Sequence, residues 1–138
     1  VGSRNRWITP DADNFGFARW AVEREAELRS ALGFGRHFGE WWGAGVQRRY
    51  GMTEKRFSLF NTSRWVGVDL PAGVAVVPVM YEGIFTDAAV DECLARLVRD
   101  GSIAAPGFMQ PEGVVVFHAA SRTLHKVTIG NDGAKGEA

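Results

Sequence analysis

The sequence predicts an α+β domain, with mixed, largely antiparallel sheets and helices packed outside them. Two segments place apolar residues at helical spacing, over about Phe15–Leu32 and Asp87–Arg99. Between and after them run short stretches rich in β-branched and aromatic residues, separated by Gly, Pro and Asn. The length of 138 residues, 46% hydrophobic and 23% charged, suits one globular core.

In the first helix Phe17, Trp20, Ala21, Leu28, Ala31 and Leu32 form the apolar face. Glu23, Arg24, Glu25, Glu27 and Arg29 fill the other, and Gly33 stands where a C-terminal cap belongs. In the second, Thr86 is the expected N-cap and Gly101 the stop. The stripe between them is Ala89, Val90, Cys93, Leu94, Leu97 and Val98, which makes Cys93 a small buried hydrophobe. Strands are expected near residues 37–42, 56–62, 65–68, 74–77, 113–118 and 124–129. Pro78 confines the fourth to a short or edge position. A domain over residues 1–130 is expected, followed by a flexible tail over 131–138.

Composition excludes several classes. One cysteine rules out an internal disulfide framework and a Cys-based zinc cluster. No apolar run is long enough to span a membrane and no signal-peptide pattern opens the chain, so the expectation is a cytoplasmic protein with no membrane partner. The net charge is zero, although Arg outnumbers Lys 13 to 3. His37, His118 and His125 are too scattered for a zinc motif and read as structural. Nothing in the sequence fixes an oligomeric state.

Four segments carry candidate chemistry. In His37-Phe38-Gly39-Glu40-Trp41-Trp42, strand alternation puts Phe38, Glu40 and Trp42 on one face. A carboxylate among aromatics and glycines suits ribose hydroxyls beside a planar base; a plain structural strand is the alternative. In Lys55-Arg56-Phe57-Ser58-Leu59-Phe60-Asn61 the two phenyl rings point to opposite faces, so one can be core while the other lines a pocket; taken singly, each reads as core. Glu112 precedes the apolar strand Gly113-Val114-Val115-Val116-Phe117. Lys126 and Thr128 share one face of the last strand, where a rim lysine is the bland alternative.

Taken in order, Phe38-Gly39-Glu40, Phe57-Ser58-Leu59-Phe60-Asn61, Glu112-Gly113-Val114-Val115 and Lys126-Val127-Thr128 resemble the nucleotidyltransferase domain of ATP-dependent polynucleotide ligases. The opening Ser3-Arg4-Asn5-Arg6 and Gly43-Ala44-Gly45-Val46-Gln47-Arg48 look like the branch that seals nicks in duplex RNA. The resemblance covers nearly the whole chain and implies an ATP-grasp-like nucleotidyltransferase fold. It implies ATP, through its AMP moiety, and Mg2+ or Mn2+ as cofactors, and RNA with 5′-phosphate and 3′-hydroxyl ends as partner. By the same resemblance Glu40 binds the ribose and Phe60 stacks on adenine. Glu112 acts at the α-phosphate through the metal, and Lys126 and Arg4 contact phosphate. Arg4, Arg6, Arg48 and Arg49, joined by Lys55 and Arg56, form a nucleic-acid surface.

Two departures from the family pattern stand out. Thr128 occupies the place of a second lysine. None of Lys55, Lys126 and Lys135 lies in a Lys-x-Asp-Gly context, so the lysine nucleophile is expected upstream of Val1, in an N-terminally truncated ligase unable to self-adenylate. Such a chain is expected to be less stable than the complete domain. The alternatives are a non-catalytic nucleotide- or RNA-binding relative, or a DNA ligase or capping-type nucleotidyltransferase.

Overall fold

The computed structural model describes residues 1–46 and 48–130; the tail expected over 131–138 lies outside the described residues. The fold is α+β, with three α-helices and two small, antiparallel-rich sheets among those residues. The described residues form two compact units, divided between Val77 and Pro78.

In the first unit α1 (Phe17–Glu23) and α2 (Glu25–Leu32) replace the single expected helix. The chain bends at Arg24 (φ −112°, ψ 19°), yet Arg24 N–H still donates to Trp20 O and Leu28 N–H to Arg24 O, so the ladder runs through the bend. The sheet has the order β1-β2-β3. β1 (Gly39–Gly43) pairs antiparallel with β2 (Lys55–Leu59), setting Trp41 opposite Phe57 and Glu40 opposite Ser58. β3 (Val74–Val76) joins β2 in parallel, which is possible because the 3-10 turn and loop after β2 carry the chain back to the start of the sheet.

The strand expected over 65–68 is absent. Asn61 turns left-handed (φ 52°) and opens a 3-10 turn over Thr62–Trp65, whose indole N–H donates to Phe60 O (3.1 Å). A left-handed residue stops strand extension at once, and Asn tolerates it better than most. Trp65 then joins Leu32, Phe57 and Leu59 in the buried core, with Phe17, Trp20, Leu28, Trp41, Leu70, Val74 and Val76 packed around them. Leu59 is completely buried, a burial that stabilises by about 2 kcal/mol.

In the second unit α3 (Asp87–Asp100) begins at Thr86, whose hydroxyl accepts from Ala89 N–H (3.1 Å), and ends at Gly101 (φ 81°). Leu97 is buried on its stripe, Cys93 only half-buried, and Val98 exposed. β4 (Gly113–His118) and β5 (Thr123–Thr128) form an antiparallel hairpin, and α3 packs on β4. No helix among the described residues is long and apolar enough to cross a membrane.

Candidate functional site

The candidate residues fall into two groups, one per unit. In the first, alternation along β1 and β2 sorts the side chains cleanly. Trp41 and Phe57 turn to the helices, where Phe17 lies 5.3 Å and 5.0 Å from their rings. Trp42 turns the other way, and its indole donates to Ser58 Oγ (2.7 Å) in a buried bond. Glu40 therefore shares a face with Trp42 and Ser58. Phe60 N–H donates to Phe38 O (2.8 Å), extending the ladder one step beyond the strand ends. Register then sets Phe60 opposite Phe38 and diagonal to Glu40. Phe57 is the core ring of the pair and Phe60 the half-buried one.

Gly39 is a steric requirement of this arrangement. A Cβ there would lie 2.7 Å from the Phe57 ring, so the glycine lets β2 close against β1 directly beside Glu40.

Arg4 is on the other side of the sheet. With Gly2, Ser3, Asn14, Phe17, Gly39, Trp41 and Phe57 it lines an open cleft of about 210 Å3 on the helix-facing side. Arg6 braces its own loop instead, donating to Ala12 O (2.8 Å) and Asp13 O (3.1 Å). Lys55 is likewise engaged, since its ammonium and the Trp41 indole both donate to Phe15 O (3.0 and 2.9 Å). The structure thus brings Glu40 and Phe60 together and does not bring Arg4 to them.

Arg48 and Arg49 sit on a loop with an unusual backbone. Arg48, Arg49, Tyr50 and Gly51 all have positive φ (60°, 51°, 51° and 65°), and a non-glycine residue in this region costs about 1–2 kcal/mol. The Tyr50 ring meets Trp42 edge-on at 5.5 Å, which fastens the loop to the Glu40 face of the sheet. Gln47, part of the Gly-x-Gly segment, lies outside the described residues.

Asp13 has a role the sequence reading missed. Its carboxylate accepts from the backbone N–H groups of Asn14 and Ala18 (both 2.7 Å) and Arg19 (3.0 Å). It caps α1 from three residues before Gly16, which has no side chain to do so. Burial works against the charged carboxylate, but the N–H groups of Arg19, Ala18 and Asn14 outweigh it and hold Asp13 below the usual carboxylate range.

In the second unit Lys126 Nζ lies 2.6 Å from Glu112 Oε1. Ile129 N–H donates to Glu112 O (2.9 Å), so the carboxylate sits at the end of the β4–β5 ladder. Gly113 makes this possible: its φ is +156°, and a Cβ would lie 2.8 Å from Thr128 Cα. Thr128 is directly opposite Gly113, and Lys126 opposite Val115.

Two of the histidines read as scattered are joined by this hairpin. His118 Nδ1 meets Ser121 Oγ (2.8 Å), Ser121 Oγ meets Thr123 Oγ1 (2.7 Å), and Thr123 Oγ1 meets His125 Nε2 (3.2 Å). Ser121 N–H also donates to His118 Nδ1 (3.3 Å), which makes that nitrogen an acceptor. The chain of hydroxyls follows from cross-strand register, which the sequence spacing does not display.

Chemically, the first group offers a carboxylate flanked by aromatic rings, suited to hydroxyls beside a planar ring. The second offers a carboxylate and an ammonium in contact, suited to a phosphate and its cation. Among the described residues no three His, Cys, Asp or Glu side chains cluster to hold a metal by themselves. Glu112 alone is a hard oxygen donor, and Mg2+ commonly takes one or two carboxylates plus substrate phosphates. Compared with protein-family models, curated proteins and solved structures, the chain finds no match.

Proposed function

We propose that this chain is part of an ATP-dependent RNA ligase of the ATP-grasp-like nucleotidyltransferase class. That ligase joins RNA 5′-phosphate and 3′-hydroxyl ends through enzyme-adenylate and RNA-adenylate intermediates. The observation that carries the reading is the pairing of the four motif segments two by two. The Gly-Glu strand lies against the aromatic strand, and the Glu-Gly strand lies against the lysine strand. In both pairs a glycine beside the glutamate is required by the packing.

On this reading Glu40 accepts from the ribose hydroxyls and Phe60 stacks on adenine, an interaction worth about 1–3 kcal/mol. Lys126 supplies a point charge to the phosphate. Glu112 would hold Mg2+ or Mn2+, which offsets charge on the transferring phosphate when bound. Arg48 and Arg49 contact phosphates of nucleotide or RNA, and Arg4, on the helix-facing side, those of RNA; Arg6 gives up two backbone hydrogen bonds if it joins them. The three lysines lie outside any Lys-x-Asp-Gly context. That favours one second reading, a nucleotide- and RNA-binding relative that uses the same face without self-adenylation.

Titration with AMP and GMP, followed by isotope-labelled amide shifts, tests the adenylate site. AMP is expected to shift Glu40, Ser58 and Phe60, with Glu40→Ala and Phe60→Ala each weakening binding about tenfold or more. Equal binding of GMP would favour a capping-type activity, and shifts confined to the Arg4 cleft would refute the site.

A further inference from the structure

The two faces of the β4–β5 hairpin differ. On one, Val114, Val116 and His118 are half-buried, and Phe85 meets the His118 ring edge-on at 5.8 Å. On the other, register pairs Phe117 with Leu124, Val115 with Lys126 and Gly113 with Thr128. There Phe117, Leu124 and Val115 are 61%, 62% and 58% exposed. An apolar row left in solvent on a two-stranded sheet marks an interaction surface.

We propose that this face is a stacking platform for single-stranded nucleic acid, with a base lying on Phe117 and Leu124. Charge selects the occupant. Lys126 stands on the apolar row itself, and Arg122 is exposed on the turn at its far end (φ 53°). The neighbouring carboxylate of Glu112 is held against Lys126 and so offers little repulsion to a phosphate. An anionic chain with flat apolar rings matches cations at both ends of a row around a phenyl group. A second copy of this chain matches less well. Three apolar side chains fall far short of the roughly 20–30 residues per partner in a stable interface, whereas one exposed ring suffices for one base.

The proposal deepens the RNA-joining reading by naming where an unpaired strand lies, and it rests on that reading only for the choice of RNA as the natural strand. Stacking on a phenyl ring tolerates any base and either sugar, so weak sequence preference is expected, with binding that falls as salt rises.

The test is fluorescence anisotropy of short labelled oligouridylate and oligothymidylate, without nucleotide or Mg2+, at low and moderate salt. Leaving out the adenylate chemistry keeps the outcome separate from that of the ligase reading. Phe117→Ala is expected to weaken binding about tenfold and Phe117→Trp to preserve it. Amide shifts in the unaltered protein, on adding oligouridylate, are expected at Val115, Phe117 and Leu124. That measurement stands even where Phe117→Ala disturbs the hairpin. Unchanged affinity in a folded Phe117→Ala variant, shifts confined to the Arg48–Arg49 loop, or self-association that buries the three side chains in place of RNA binding would each overturn the proposal.

Discussion

Lys126 Nζ and Glu112 Oε1 are 2.6 Å apart across the β4–β5 pair, with the lysine side chain 57% and the glutamate 35% exposed. At that exposure an ion pair contributes about 0–1 kcal/mol to stability, so structural need alone is a weak reason for the contact.

Lys126→Ala and Glu112→Gln are accordingly expected to lower stability by less than about 1 kcal/mol. The same variants should slow joining of adenylated RNA about a hundredfold or more, the usual cost of removing one group that stabilises transition-state charge. Thermal unfolding measured beside single-turnover joining separates the two effects. A variant that joins RNA at the unaltered rate would remove Lys126 from the chemistry.

Gly39→Ala and Gly113→Ala should each destabilise by about 1–3 kcal/mol, as overpacking does. At Gly39 the added carbon meets Ser58 O of β2 as well as the Phe57 ring, and at Gly113 it meets the β5 backbone from a strained φ. Gly113→Ala is expected to cost more, because both meet backbone but only Gly113 adds a φ (+156°) that a side chain rarely adopts. Urea unfolding ranks them, and the reverse order would show that the clash at Ser58 O and Phe57 outweighs the backbone strain at Gly113.

Ser58→Ala removes the acceptor of the buried Trp42 indole. Leaving that N–H unsatisfied should cost about 1–3 kcal/mol. Relative to Trp42→Phe alone, adding Ser58→Ala should cost much less, because the orphaned donor is gone. A double-mutant cycle in urea reads the coupling directly, and additive losses would contradict the bond.

Asp13 gives a pH dependence with a definite sign. Its carboxyl is depressed in the folded state, so its contribution is complete above the unfolded carboxyl's pKa and is lost as pH falls through the folded one. Asp13→Asn should flatten that acid-side loss and leave a weaker cap at neutral pH. Thermal unfolding as a function of pH shows whether the two profiles converge in acid, as expected.

Much of the fold was legible because it is local. The start of α3 is written in Thr86 and its end in Gly101, and period-two alternation placed Glu40 with Trp42 and split Phe57 from Phe60. What stayed hidden depends on distant partners. Nothing near Lys55 announces that Phe15 O will hold its ammonium, and nothing near Arg4 says which side of a sheet it will face. The left-handed turn at Asn61 converted an apparent strand at Trp65 into a core anchor. Asp13 was the nearest miss, since an acidic residue just ahead of a helical run is a capping signal; its offset from Gly16 disguised it.

The most direct test of the RNA-joining account is single-turnover joining of a 5′-adenylated RNA strand to an adjacent 3′-hydroxyl strand by this chain, with Mg2+. This step needs no lysine nucleophile, because the 3′-hydroxyl attacks the activated phosphate and AMP departs. The account predicts a joined product and one AMP released per joint, both slowed about a hundredfold or more in Lys126→Ala. A folded chain that binds AMP at Glu40 and Phe60, yet neither joins the strands nor releases AMP, would contradict it.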